Sequence, residues 1–180
     1  MRSARAILAL LSLSGLAAAA CERTPIPQRE TAVSPAPPAS AAATPATSYV
    51  PGLGELMTLQ QMRHAKLWWA GEAGNWKLAA YELDELKEGF DDVVRYHPTH
   101  KDSPVPIDQV VPKIMNERIG SVGDAIAKKD PKLFAGAYDG LTEGCNSCHQ
   151  ATNFGFNVVK RPAANTFSNQ SFAAADSRER

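Results

Sequence analysis

Residues 130–151 read DPKLFAGAYDGLTEGCNSCHQA, and this stretch decides the fold expected for the chain. Asp130 is a good helix N-cap, and Pro131 suits the first helical position. The apolar and chemically distinctive residues then recur at helical spacing along one stripe, formed by Phe134, Ala137, Tyr138, Leu141, Cys145, Cys148 and His149. The sequence therefore predicts an amphipathic helix whose buried face ends in a Cys-x-x-Cys-His motif.

Three earlier segments have the same helical period. They cover about residues 52–71, 76–94 and 106–129, and Asn75 is placed to cap the second. No segment shows sustained period-two alternation with turn residues between the runs, which would be typical of strands. We therefore expect an all-α domain over residues 49–151, folded as a four-helix bundle.

The N-terminal part of the chain is not expected to belong to this domain. Residues 1–20 have a basic start at Arg2 and Arg5, an apolar run and small residues at the end, which is typical of an export signal peptide. The apolar run is shorter than the roughly 20 residues of a membrane-spanning helix. Residues 21–48 are rich in Pro, Ala, Ser and Thr, and this composition predicts a disordered tether.

Cys21 directly follows the small residues of the signal and resembles the lipidated cysteine of bacterial lipoproteins. Ala18 stands where a good lipoprotein signal has Leu, so ordinary cleavage that leaves Cys21 as a stray thiol is the alternative. A stray thiol would risk wrong disulfides during export, which favours lipidation. We therefore expect a periplasmic protein anchored to the membrane through Cys21.

Residues 152–180 lose the helical period and are expected to form an irregular C-terminal extension. Its aromatic residues, Phe154, Phe156 and Phe167, suggest that it packs as a strap on another part of the molecule.

Cys145-Asn146-Ser147-Cys148-His149 is the pattern of covalent c-type haem attachment. Residues three apart on a helix share a side, so both thiols can reach one porphyrin while His149 reaches its iron. A thioredoxin-like dithiol would need a preceding strand, and a zinc site would need a second pair of ligands. The motif and the export signal together predict one haem c per chain, held by Cys145 and Cys148, with His149 as the proximal iron ligand.

A helical domain with this motif near the end of its last helix resembles the cytochrome c-prime and cytochrome c-556 group. The resemblance covers about residues 50–151 and implies a four-helix bundle around the haem. It also implies that Arg63 is followed four residues later by Leu67, which faces the open side of the iron. The resemblance allows a homodimer, although the extension after the motif is longer than in typical members.

The sixth iron ligand separates the functions open to such a protein. His64, central on the inward face of the first helix, is the first choice; its alternative is a core histidine bonded to another side chain. Met57 on the same face is the second choice, and an open iron beside Leu67 is the third.

A strong sixth ligand predicts an electron carrier that works with redox partner proteins in the periplasm. An open site predicts a protein that binds nitric oxide or carbon monoxide. A peroxidase using Arg63 and His64 is disfavoured because adjacent helical residues point about 100° apart, so we expect no enzyme. The charges balance at 19 basic and 19 acidic residues, and nothing indicates a nucleic-acid partner.

Overall fold

The computed structural model describes residues 49–174, and these contain four α-helices packed against each other. The helices are α1 (Leu53–Glu72), α2 (Trp76–Tyr96), α3 (Ile107–Lys128) and α4 (Pro131–Ala151). No residue between 49 and 174 lies in a strand, so the expected all-α, four-helix architecture is confirmed. The predicted export signal, the tether and Cys21 lie outside the described residues. In the described part, no helix has both the length and the apolar character needed to cross a membrane.

The helix ends follow from local chemistry. The Asn75 side chain accepts a hydrogen bond from the Leu78 amide (3.2 Å) at the start of α2. Asp130 Oδ1 accepts from two amides at the start of α4, at 2.9 and 3.0 Å. These side chains satisfy amides that have no partner within their helix. Helix α3 ends where Lys129 adopts a left-handed conformation (φ 53°).

The core lies where the four helices meet. Each helix contacts the next one along the chain, and α4 contacts α1 less extensively. The largest fully buried side chains come from all four helices and are Tyr138, Phe134, Leu67, Leu86, Met115, Leu141, Val93 and Val122. Packing between α1 and α4 is tight at Gly71, since a Cβ atom there would overlap the Phe134 ring.

Residues 152–174 form a strap, an irregular segment without helix or strand that packs on the bundle. Phe172 belongs to the hydrophobic core, and the Ala173 carbonyl accepts a hydrogen bond from Asn75 (3.1 Å). Arg161 forms an ion pair with Asp139 of α4 (2.6 Å) and lies over the Trp68 ring of α1, 4.1 Å from its centroid. The strap therefore bridges α1 and α4, the helix pair with the least direct contact.

Candidate functional site

A cavity of about 580 Å³ lies among the four helices and the strap. Its volume is within the roughly 300–1,000 Å³ typical of ligand and cofactor sites. Most of its lining is apolar, for example Leu53, Leu86, Phe90, Val111 and Met115. The polar and sulfur-bearing lining includes Met57, Gln60, His64, Cys145, Cys148 and His149. The cavity therefore collects most of the residues that the sequence singles out.

Cys145 and Cys148 lie one helical turn apart on α4, and both line the cavity. Neither is in a disulfide. Burial, with a smaller contribution from Cys148, raises the pKa of the Cys145 thiol to about 12, and burial also raises the pKa of Cys148. A redox-active dithiol works through a lowered thiol pKa and normally follows a strand. Neither feature is found at this pair, so the thioredoxin-like alternative has no support here.

His149 lies beside these thiols, and its orientation is fixed by the strap. Its Nδ1 lies 2.6 Å from the carbonyl oxygen of Asn157. A carbonyl oxygen can only accept, so Nδ1 carries the proton, and in the neutral ring Nε2 carries the lone pair. This is the arrangement usual for a metal-ligating histidine, whose other ring N–H is held by a carbonyl or carboxylate.

The same strap is attached to the motif by Asn146. Asn146 Nδ2 donates to the carbonyl of Val159 (2.9 Å), and the amide of Val159 donates to Asn146 Oδ1 (2.8 Å). Both backbone groups of one strap residue are thus bound by one side chain of the Cys-x-x-Cys-His motif.

His64 is buried, with 4% of its surface exposed, and both ring nitrogens are bonded to α4. The Thr142 hydroxyl donates to the Tyr138 carbonyl (2.9 Å), so its oxygen accepts from His64 Nε2–H (2.9 Å). Nδ1 is left as the acceptor for the Tyr138 hydroxyl (2.8 Å). His64, Tyr138 and Thr142 therefore form a closed ring of hydrogen bonds. Burial lowers the pKa of His64 to about 4, so the ring is neutral near pH 7.

The structure separates the other predicted residues. Met57 lines the cavity two turns before His64, whereas Leu67 is fully buried in the core and is not among the cavity-lining residues. Arg63 forms an ion pair with Glu85 of α2 (3.1 Å). Arg63 and His64 thus bind partners on different helices, as expected from their angular separation.

The sequence analysis missed the hydrogen-bond ring around His64 and the strap contacts of Asn146 and His149. A signal for the first exists, because Tyr138 and Thr142 are spaced i, i+4 near the apolar stripe of α4, and buried hydroxyls need partners. No sequence signal identifies the strap carbonyl at Asn157, since any residue type carries one.

Comparison of the chain with protein-family models, with curated proteins and with solved structures finds no match. What the protein does must therefore be inferred from the chemistry of its own residues.

Proposed function

We propose that this protein is an exported monohaem c-type cytochrome that transfers electrons and is not an enzyme. One observation carries the proposal: the two thiols and the histidine of the Cys-x-x-Cys-His motif line one mainly apolar cavity of about 580 Å³. When bound there, haem c would supply an iron centre that gains and loses one electron. A mainly apolar environment is suited to holding a largely hydrophobic macrocycle.

Each residue of the motif has a role in this proposal. Cys145 and Cys148 would hold the haem through thioether bonds, and His149 would be the proximal iron ligand. The hydrogen bond from His149 Nδ1–H to Asn157 supports this role, because it directs the Nε2 lone pair to a ligand and makes the imidazole a stronger donor.

For the sixth ligand, the contacts of the described residues favour Met57 over His64. Met57 lines the cavity, and its thioether is at most a weak hydrogen-bond acceptor. His64 would have to give up at least one buried hydrogen bond, to Thr142 or to Tyr138, to free a nitrogen. A buried group left without its partner costs about 1–3 kcal/mol. A His/Met pair raises the reduction potential of a haem and is typical of electron-transfer cytochromes.

The other functions have weaker support. An open iron beside Leu67 would favour gas binding, but Leu67 is absent from the cavity lining. A peroxidase needs an acid-base group that can reach a bound peroxide. Arg63 is paired with Glu85, and the His64 nitrogens are both hydrogen-bonded.

The test is the visible absorption spectrum of the purified full-length protein, oxidised and reduced, with and without carbon monoxide. Wild type, Met57→Leu and His64→Leu are compared, and Met62→Leu is the matched control because Met62 lies on α1 but is 36% exposed. Haem staining after denaturing electrophoresis of Cys148→Ser, with Ser147→Ala as control, tests the covalent attachment.

We expect low-spin wild-type, His64→Leu and Met62→Leu proteins that do not bind carbon monoxide, and a high-spin Met57→Leu protein that does. If His64→Leu opens the site and Met57→Leu does not, His64 is the ligand. A wild type that is already high-spin and binds carbon monoxide contradicts the electron carrier and favours the gas binder. A wild type without a haem spectrum contradicts the whole proposal.

The proposal also places the protein in the periplasm, anchored through lipidated Cys21 and serving redox partner proteins there. It rests on the signal-like sequence of residues 1–20 and the tether composition of residues 21–48. In a fractionated cell, Cys21→Ser should move the protein from the membrane to the soluble fraction. Equal membrane association of both forms would contradict lipidation.

A further inference from the structure

Asn146 occupies a position of the Cys-x-x-Cys-His motif that the pattern leaves open to any residue. Its side-chain amide both donates to and accepts from the backbone of Val159, at 2.9 and 2.8 Å. This is the pairing that a neighbouring strand would otherwise give to that residue. The strap therefore depends on a side chain of the motif itself for its backbone hydrogen bonds at this point.

The turn that follows α4 is held at both ends. At its near end, the Phe154 amide donates to the carbonyl of His149 (2.7 Å), and the Asn157 amide donates to the Phe154 carbonyl (2.8 Å). At its far end, Val159 is bound by Asn146. The carbonyl that accepts from His149 Nδ1 belongs to Asn157, which lies between these two attachments.

We propose that Asn146 is a positioning residue for His149: by holding Val159, it keeps the Asn157 carbonyl in hydrogen-bond contact with the ring of His149. The proposal rests on the proposed function, because its consequence concerns the iron that His149 would bind. A carbonyl on Nδ1–H makes the imidazole a stronger donor and stabilises the oxidised, more positive iron. Loosening this contact raises the reduction potential.

The motif offers a matched control at its other variable position. Ser147 is exposed, and its hydroxyl donates to the Glu143 carbonyl of the same helix (2.8 Å). It makes no recorded bond to the strap. Two changes at Asn146 separate the two halves of the contact: Asn146→Ala removes both hydrogen bonds, and Asn146→Asp keeps the acceptor for Val159 N–H but places a carboxylate oxygen against the Val159 carbonyl.

The experiment uses the full-length protein as purified and measures two quantities for wild type and the variants. The first is amide hydrogen exchange at Phe154 and Asn157, whose own acceptors Asn146 does not supply. The second is the reduction potential of the haem. Loss of two net hydrogen bonds, each of about 0.5–1.5 kcal/mol, should speed exchange at both amides by about tenfold.

For Asn146→Ala and Asn146→Asp we expect this faster exchange together with a potential higher by about 59 mV, which is a tenfold shift of a one-electron equilibrium. Ser147→Ala should change neither quantity. Faster exchange at an unchanged potential would reduce Asn146 to a structural role and refute the proposal, as would unchanged exchange. A wild type without haem absorption would instead refute the proposed function, and exchange alone would then decide whether Asn146 holds the turn.

Discussion

Lowering the pH from about 7 to about 4 should remove about 3 kcal/mol of folding free energy at His64 alone. Burial lowers its pKa from the ordinary 6.5 to about 4, and the cause is desolvation of the charged ring. In the unfolded chain the ring takes up a proton below about pH 6.5, and in the folded chain only near pH 4. The stabilising effect is therefore complete above about pH 6.5 and is lost as the pH falls toward 4.

The magnitude follows from the two pKa values. Each unit is worth about 1.36 kcal/mol, so a difference of about 2.5 units has a limit of about 3.4 kcal/mol. At pH 4 the folded ring is already about half protonated, which leaves about 3 kcal/mol. Nearly all of the His64 ring is inside the protein, with 4% of the residue exposed, so solvent screens this effect little.

Urea unfolding of wild type and His64→Leu, near pH 7 and near pH 4, measures this effect directly. Leucine cannot titrate, so the stability difference between the two proteins should shrink by about 3 kcal/mol at the lower pH. Gln60→Leu is the control, since Gln60 is buried on the same helix, bonds to the Leu86 carbonyl (2.7 Å) and does not titrate. Its difference from wild type should be the same at both pH values. A His64→Leu difference that does not change with pH would refute a buried, neutral His64.

Three further substitutions test the packing of the helices and strap. Gly71→Ala should destabilise the fold by about 1–3 kcal/mol in chemical denaturation, because its Cβ would overlap the Phe134 ring; Gly120→Ala, with open space around it, should instead stabilise by about 0.5–1 kcal/mol. Tyr138→Phe removes the hydroxyl bonded to the buried histidine and should cost about 1–3 kcal/mol, so equal unfolding midpoints would contradict the bond. Phe172→Ala should cost about 3–5 kcal/mol and expose the strap to limited proteolysis, and an uncut strap would show that other contacts hold it.

The helices could be predicted from sequence because their signals are local. Asn75 and Asp130 cap α2 and α4 through hydrogen bonds to residues two and three positions away. The period of three and four residues predicts which face of each helix is buried, and short connections predict that successive helices are neighbours. These signals need no knowledge of any other part of the chain.

The partners across the core could not be predicted in the same way. The inward face of α1 contains both His64 and Leu67, but periodicity does not say what each one meets. The cavity reaches only the part of α1 nearest the motif, and Leu67 lies about 15 Å further along the helix than Met57, at 1.5 Å per residue. The contact between His149 and Asn157 depends on how an aperiodic segment folds back, which no spacing rule describes.

The strap sets an order of events for making the protein. Its hydrogen bonds to the motif involve residues 157 and 159, which follow both cysteines in the chain. In a chain that acquires covalent haem, the thiols must meet the porphyrin before this segment closes over the histidine. The last residues to be synthesised would then act as a latch on the finished cofactor. A chain ending at residue 152 would keep the four helices and both thiols while lacking that latch.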